Sequence, residues 1–140
     1  MGKIIAIDFG LKRTGLALSD NEKTFAFGLE TIDSKNLMDR LVKLSEKEKL
    51  DTIVLGLPKR LNNEDSHITQ NVFLLKEALE KQFPFFTVEL VDERFTSKMA
   101  SQAIALSGGS KKQRKEKALI DKVSATIILQ SYLDSIRNVY

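Results

Sequence analysis

The hydrophobic period changes once along this chain, after Thr31, and that change restricts the fold more than any single motif. Before it, three short runs read as strands. Lys3–Asp8 is a nearly continuous apolar run, the pattern of a buried strand. Gly10 and Gly15 bracket a tight connection carrying Lys12 and Arg13, and Thr14–Ser19 follows as a second strand. After the polar turn at Asp20–Lys23, Thr24–Thr31 supplies Phe25, Phe27 and Leu29 in alternation, which predicts a third strand with one buried face. Three consecutive strands on short turns predict an antiparallel meander.

Beyond Thr31 helical and strand patterns alternate. Leu37, Leu41 and Leu44 recur at helical spacing with Ser34 as the cap. Thr52–Gly56 is a β-branched strand stopped at Pro58, with an open loop to Asp65. Ile68, Val72, Leu75 and Leu79 mark a second helix ended by Pro84, and Thr87–Val91 is the fifth strand. A helix over 97–106 stops at Gly108-Gly109. Ile120, Val123, Ile127, Ile128 and Leu133 stripe a last helix of about 17 residues. The order βββ-α-β-α-β-α-α predicts an α/β protein: one domain over residues 1–140, with a five-stranded mixed sheet flanked by helices.

Composition narrows the chemistry. There is no cysteine and one histidine, His67, which excludes disulfides, thiolate metal sites and multi-histidine zinc sites. No run approaches the ~20 apolar residues of a membrane span, and the N-terminal apolar run is too short for a signal peptide, so a cytoplasmic location without a membrane partner is expected. The formal net charge is +3. Residues 110–117 hold Lys111, Lys112, Arg114, Lys115 and Lys117 against Glu116 alone, so this segment carries the whole positive excess. Read as a loop, it suits a phosphate backbone, and a solvated loop without a partner is the plain alternative.

The acids fall at strand ends and at one helix start. Asp8 ends an apolar strand, where a charge is costly unless solvated or paired. Asp92-Glu93-Arg94 follows the fifth strand, and Asp121 is read into the first turn of the last helix. Parallel strands of an open α/β sheet bring their ends to one edge, where ligands bind. Converging carboxylates without thiolates suit a hard divalent ion, Mg²⁺ or Mn²⁺. Two such ions about 4 Å apart serve phosphodiester hydrolysis. Each acid also has a bland role. Asp8 can cap the Gly10 turn, Asp121 can favour a helix N-terminus, and Glu93 and Arg94 can form ordinary ion pairs.

Four segments, Ile7–Asp20, Gly56–Pro58, Val91–Ser97 and Ile120–Tyr132, together resemble the YqgF family, also called RuvX-like Holliday-junction resolvases, within the RNase H-like superfamily. The resemblance covers nearly the whole chain, and the first and third segments are specific in combination. It implies an RNase H-like fold and a nuclease that matures the 5′ end of precursor 16S ribosomal RNA. By kinship with bacterial resolvases it also implies cleavage of branched DNA. It implies catalytic, metal-binding acids at Asp8, Glu93 and Asp121, with Asp92 as the substitute for Glu93. One departure is Asn62-Asn63, where relatives often carry Asp-Gly. Asp8-Phe-Gly10 before a hairpin is also similar to the phosphate-binding hairpin of actin-like and sugar-kinase ATPases, but 140 residues do not supply their two large domains.

Lys12, Arg13, Arg94, Lys111, Lys112, Arg114 and Lys115 are the candidate nucleic-acid contacts. Such contacts position a backbone without reading its sequence. Against each stands a solvated turn, an ion pair or a mobile loop. Three functions remain open: a nuclease acting on precursor rRNA, with the ribosome as a partner; a resolvase of four-way DNA junctions; and a non-catalytic nucleic-acid-binding module of ribosome assembly. Symmetric junction cleavage calls for a homodimer, and both monomer and homodimer fit the sequence.

Overall fold

The computed structural model describes residues 2–57, 66–92 and 113–137. The chain opens with the meander β1 (Lys3–Phe9), β2 (Arg13–Ser19) and β3 (Ala26–Asp33). A single 3-10 turn, Ser34–Asn36, leads into α1 (Leu37–Lys47), followed by β4 (Leu50–Leu57), α2 (Ser66–Gln82), β5 (Thr87–Asp92) and α3 (Gln113–Arg137). The strands form one sheet in the order β3-β2-β1-β4-β5. β1–β2 and β2–β3 pair antiparallel, and β1–β4 and β4–β5 pair parallel. The helix expected over 97–106, the loop after Pro58 and the Asn62-Asn63 pair lie outside the described residues.

Strand alternation sorts the core onto two faces. Ile5, Ile7, Leu16, Ile53 and Leu55 pack with Leu37, Leu41 and Leu44 of α1 and Val72 and Leu79 of α2. Ile4, Ala6, Ala17 and Val54 pack with Ala125, Ile128, Leu129 and Leu133 of α3. The central strands are therefore buried on both sides, which explains their unbroken apolar runs. On the α3 side three of the contact residues are small: Ala6 pairs across β1–β2 with Ala17, and Ala125 belongs to the same cluster.

Two expectations change. The alternating face expected over Thr24–Thr31 is not buried throughout: Phe25, just before β3, and Phe27 are 60% and 58% exposed, and of the three only Leu29 joins the core. β3 is a sheet edge, and its register slips between Leu16 and Ala17, which pair with Glu30 and Gly28 and leave Leu29 as the extra residue of a bulge. The last helix has 25 residues and includes Arg114, Lys115 and Lys117, so this part of the basic segment is helical backbone rather than loop. Residues 114–119 (RKEKAL) are all strong helix formers, and charge alone hid that propensity. Beside Pro84, Phe83 and Phe86 stack at 5.1 Å between ring centroids, and Phe85 is 95% exposed.

The N-terminus is clasped to the start of β4. The Asp51 carboxylate accepts bonds from the Gly2 amide (3.0 Å), the Lys23 ammonium (2.8 Å) and the Thr52 hydroxyl (2.8 Å). Burial alone would raise its pKa, but the bonds from Lys23, Thr52 and Gly2 outweigh it and hold the carboxyl below its ordinary value. A depressed pKa adds stability above the unfolded value, and that stability is lost as pH falls through the folded one. Urea midpoints of the wild type should therefore decline below about pH 4. Asp51→Asn should lower the neutral-pH midpoint and flatten that acid decline.

Candidate active site

The parallel strands β1, β4 and β5 end at one edge of the sheet. Their register is fixed by the pairs Ile7–Leu55 and Leu55–Leu90, and one residue later Gly56 pairs with Val91. Asp8 follows Ile7, so it lies in the row of Gly56 and Val91. That row belongs to the α3 face, where Ala6 and Val91 pack. Asp8 is partly buried, pairs in register with Gly15, and is engaged in interactions of its own. Asp92 pairs with Leu57, a row that belongs with Leu90 and Phe9 to the α1/α2 face. Asp8 and Asp92 thus share the edge but occupy rows of opposite faces.

α3 runs antiparallel to β1. Its Gln130 side chain accepts from the Ala26 amide (3.1 Å) and donates to the Thr24 carbonyl (3.2 Å), at the β2–β3 turn. Ala26 pairs with Ser19, whose hydroxyl accepts the Ile4 amide at 2.8 Å, so Gln130 lies level with the start of β1. Tyr132 agrees: burial raises its phenol pKa first, and the charges of Glu89 and Asp51 add to the rise. Nine residues back along a helix is about 13.5 Å. Four residues along β1, from Ile4 to Asp8, is about 13 Å. The Asp121 backbone, one turn before Ala125, is therefore level with Asp8 on the α3 face of the sheet. Asp121 is the ninth residue of α3, not a first-turn residue, so the helix dipole does not account for it.

Beside Asp8 the β1–β2 turn is tightly built. A Cβ on Gly10 would lie 2.5 Å from the Arg13 carbonyl oxygen, so the turn requires glycine there. Ser34 reaches the turn from 24 residues away. Its hydroxyl donates to the Gly10 carbonyl at 2.5 Å, and its amide donates to the Lys12 carbonyl at 2.9 Å. Its hydroxyl proton is thus committed, so at 2.7 Å it accepts from the Thr14 hydroxyl, which is fully buried. The expected helix-capping role for Ser34 is corrected by this: Asn36 occupies the cap position of α1, with no side-chain cap bond, and Ser34 serves the hairpin. Leu11 and Lys12 are exposed at the tip, and Arg13 pairs in register with Asp33.

Of the other expected site residues, Glu93, Arg94, Lys111 and Lys112 lie outside the described residues, and Arg114 and Lys115 lie on the first turn of α3. Among the described residues no group of three potential metal ligands occurs. Asp8 and the other expected ligands are all carboxylates, a donor set that fits a hard divalent cation. Among the described residues no helix is long and apolar enough to cross a membrane.

Comparison with known proteins gives this edge a context. The family model described as "RuvX: Holliday junction resolvase" matches residues 2–135. A Phocaeicola vulgatus protein named "Putative pre-16S rRNA nuclease" is 47% identical over 135 residues, covering 96% of this chain and 97% of its own. A Porphyromonas gingivalis protein of the same name is 46% identical over 135 residues, covering 96% and 98%. Among solved structures, T. thermophilus RuvC in complex with Holliday junction substrate matches with a TM-score of 0.61 at 12% identity, covering 99% of this chain and 97% of that one. At that identity the likeness is one of fold, and it agrees with the RNase H-like fold that the family resemblance implies.

Proposed function

Because the chain belongs to the RuvX family of Holliday junction resolvases, we propose that it is a nuclease that hydrolyses a phosphodiester in the 5′ maturation of precursor 16S rRNA, in the cytoplasm and on or near the ribosome. The observation that carries this reading is 47% identity, over almost the full length of both chains, to a relative whose name states that activity. Asp8, Glu93 and Asp121 are the acids we assign to holding Mg²⁺ or Mn²⁺. Strand register favours Glu93 over Asp92, because Asp92 lies in a row of the face opposite Asp8. When bound, two such ions activate a water and stabilise the leaving oxygen. Lys12 and Arg13 lie beside Asp8 and are assigned to the substrate backbone, together with Arg94, Lys111, Lys112, Arg114 and Lys115. Cations in the first turn of α3 oppose the helix dipole, a cost of order 0.3–1 kcal/mol that an anionic partner offsets.

The description of the family as Holliday junction resolvases supports a second reading, resolution of four-way DNA junctions by a homodimer. One assay separates the readings. Labelled precursor rRNA and a labelled four-way junction are incubated with the purified protein in Mg²⁺, Mn²⁺ or EDTA, beside Asp8→Asn and Asp121→Asn. RNA cleavage that needs metal and is lost in both variants is the expected result. Symmetric junction cleavage by a species of dimeric mass would transfer the assignment to DNA. Tight binding without cleavage of either would leave a non-catalytic assembly module.

A further inference from the structure

We infer that Ser34 is a positioning residue for substrate: it holds the Gly10–Arg13 turn in the shape that sets the Lys12 ammonium against a phosphate next to Asp8. The inference rests on the nuclease reading and deepens it by naming what fixes one of its phosphate contacts. A tight turn of four residues with an exposed tip has few internal bonds to define it. Here two of its carbonyls, Gly10 and Lys12, are both tied to Ser34. The Thr14 hydroxyl completes a directed chain, Thr14 to Ser34 to Gly10, with no proton left over. Lys12 itself makes no ion pair or side-chain hydrogen bond among the described residues. Its cation is thus mounted on a rigid backbone and left free to meet an anion. Ser34 opens the 3-10 turn that leads into α1, and Leu37 and Leu41 anchor α1 in the core. The anchor of the turn is therefore the core itself. Pre-set geometry of this kind lowers the ordering cost of binding.

The test reads the number of phosphate contacts, which a purely structural serine would not alter. Binding of a fluorescent RNA spanning the precursor 5′ junction is titrated in EDTA across a range of salt concentrations. The proteins are the wild type, Lys12→Ala, Ser34→Ala, Ser34→Thr and the Lys12→Ala/Ser34→Ala double variant. Loss of one phosphate contact lowers the log–log salt slope by about 0.7 to 0.9. Lys12→Ala and Ser34→Ala should each lower it by that amount, the double variant by no more than either alone, and Ser34→Thr should keep the wild-type slope. Ser34→Ala retains the backbone amide bond to Lys12, so the entry to α1 persists. Should it melt below the assay temperature, Ser34→Cys, with similar volume and only a weak donor, takes its place. An unchanged slope in the serine variant, or losses that add with Lys12→Ala, overturns the role of Ser34 while wild-type cleavage leaves the nuclease reading intact. A wild type that neither binds nor cleaves the RNA overturns both.

Discussion

Asp8→Asn is expected to lower metal-dependent cleavage by roughly 10²–10⁴-fold, the range lost when one positioned catalytic group is removed. The substitution is nearly isosteric. The partly buried side chain lies near the end of β1, one residue past Ile7, so neither face of the core loses an apolar contact. Melting temperature should stay close to wild type. Binding in EDTA should be retained or tightened, because one negative charge facing a phosphate backbone is gone. The three readouts together separate catalysis from folding and from affinity. A variant that cleaves at the wild-type rate would remove Asp8 from the reaction and return it to a role within the Gly10 turn. A variant that loses binding in proportion to cleavage would make Asp8 a structural support for the turn instead.

How far such a site can be read from sequence depends on the range of the interaction that makes it. Ile4-Ile-Ala-Ile7 was legible as a buried strand because sheet burial on both faces leaves a local, unbroken apolar run. Leu37, Leu41 and Leu44 were legible for the same local reason, and all three are buried. Phe25 and Phe27 misled because alternation reports two different faces without reporting where the sheet ends, and β3 is its edge. The basic segment misled because charge was read as loop, although Arg, Lys, Glu, Ala and Leu in succession favour helix. Ser34 went to the wrong role because a serine before a helix is usually a cap, and a bond to Gly10 across 24 residues leaves no periodic trace. The β4–β5 register, which puts Asp92 in a row of the face opposite Asp8, is likewise contained in no local pattern. Except for the basic segment, whose signal was local, the missing information is tertiary pairing.

The attachment of α3 carries the second large effect, because that helix brings Asp121 level with Asp8. Ile128, Leu129 and Leu133 are fully buried against Ile4, Ala6, Ala17 and Val54. Ala6, Ala17 and Ala125 in the same cluster are short side chains that reach poorly into a void left beside them. Leu129→Ala should therefore sit in the costly range for such truncations, about 2–5 kcal/mol. Against a total stability of about 5–15 kcal/mol, that is a large fraction. Tm should fall by roughly 10 °C or more. Leu74→Ala supplies the control: Leu74 is 62% exposed on α2, and its truncation should stay within about 0.5 kcal/mol. Urea denaturation of both variants gives the two free energies directly. Cleavage by Leu129→Ala should fail at a lower temperature than cleavage by the wild type, in step with its own melting, since the Asp121 backbone is level with Asp8 only while α3 is docked. A Leu129→Ala protein within about 1 kcal/mol of the wild type would mean that α3 does not press on Ala6 and Ala17. Asp121 would then lose its claim to a place beside Asp8.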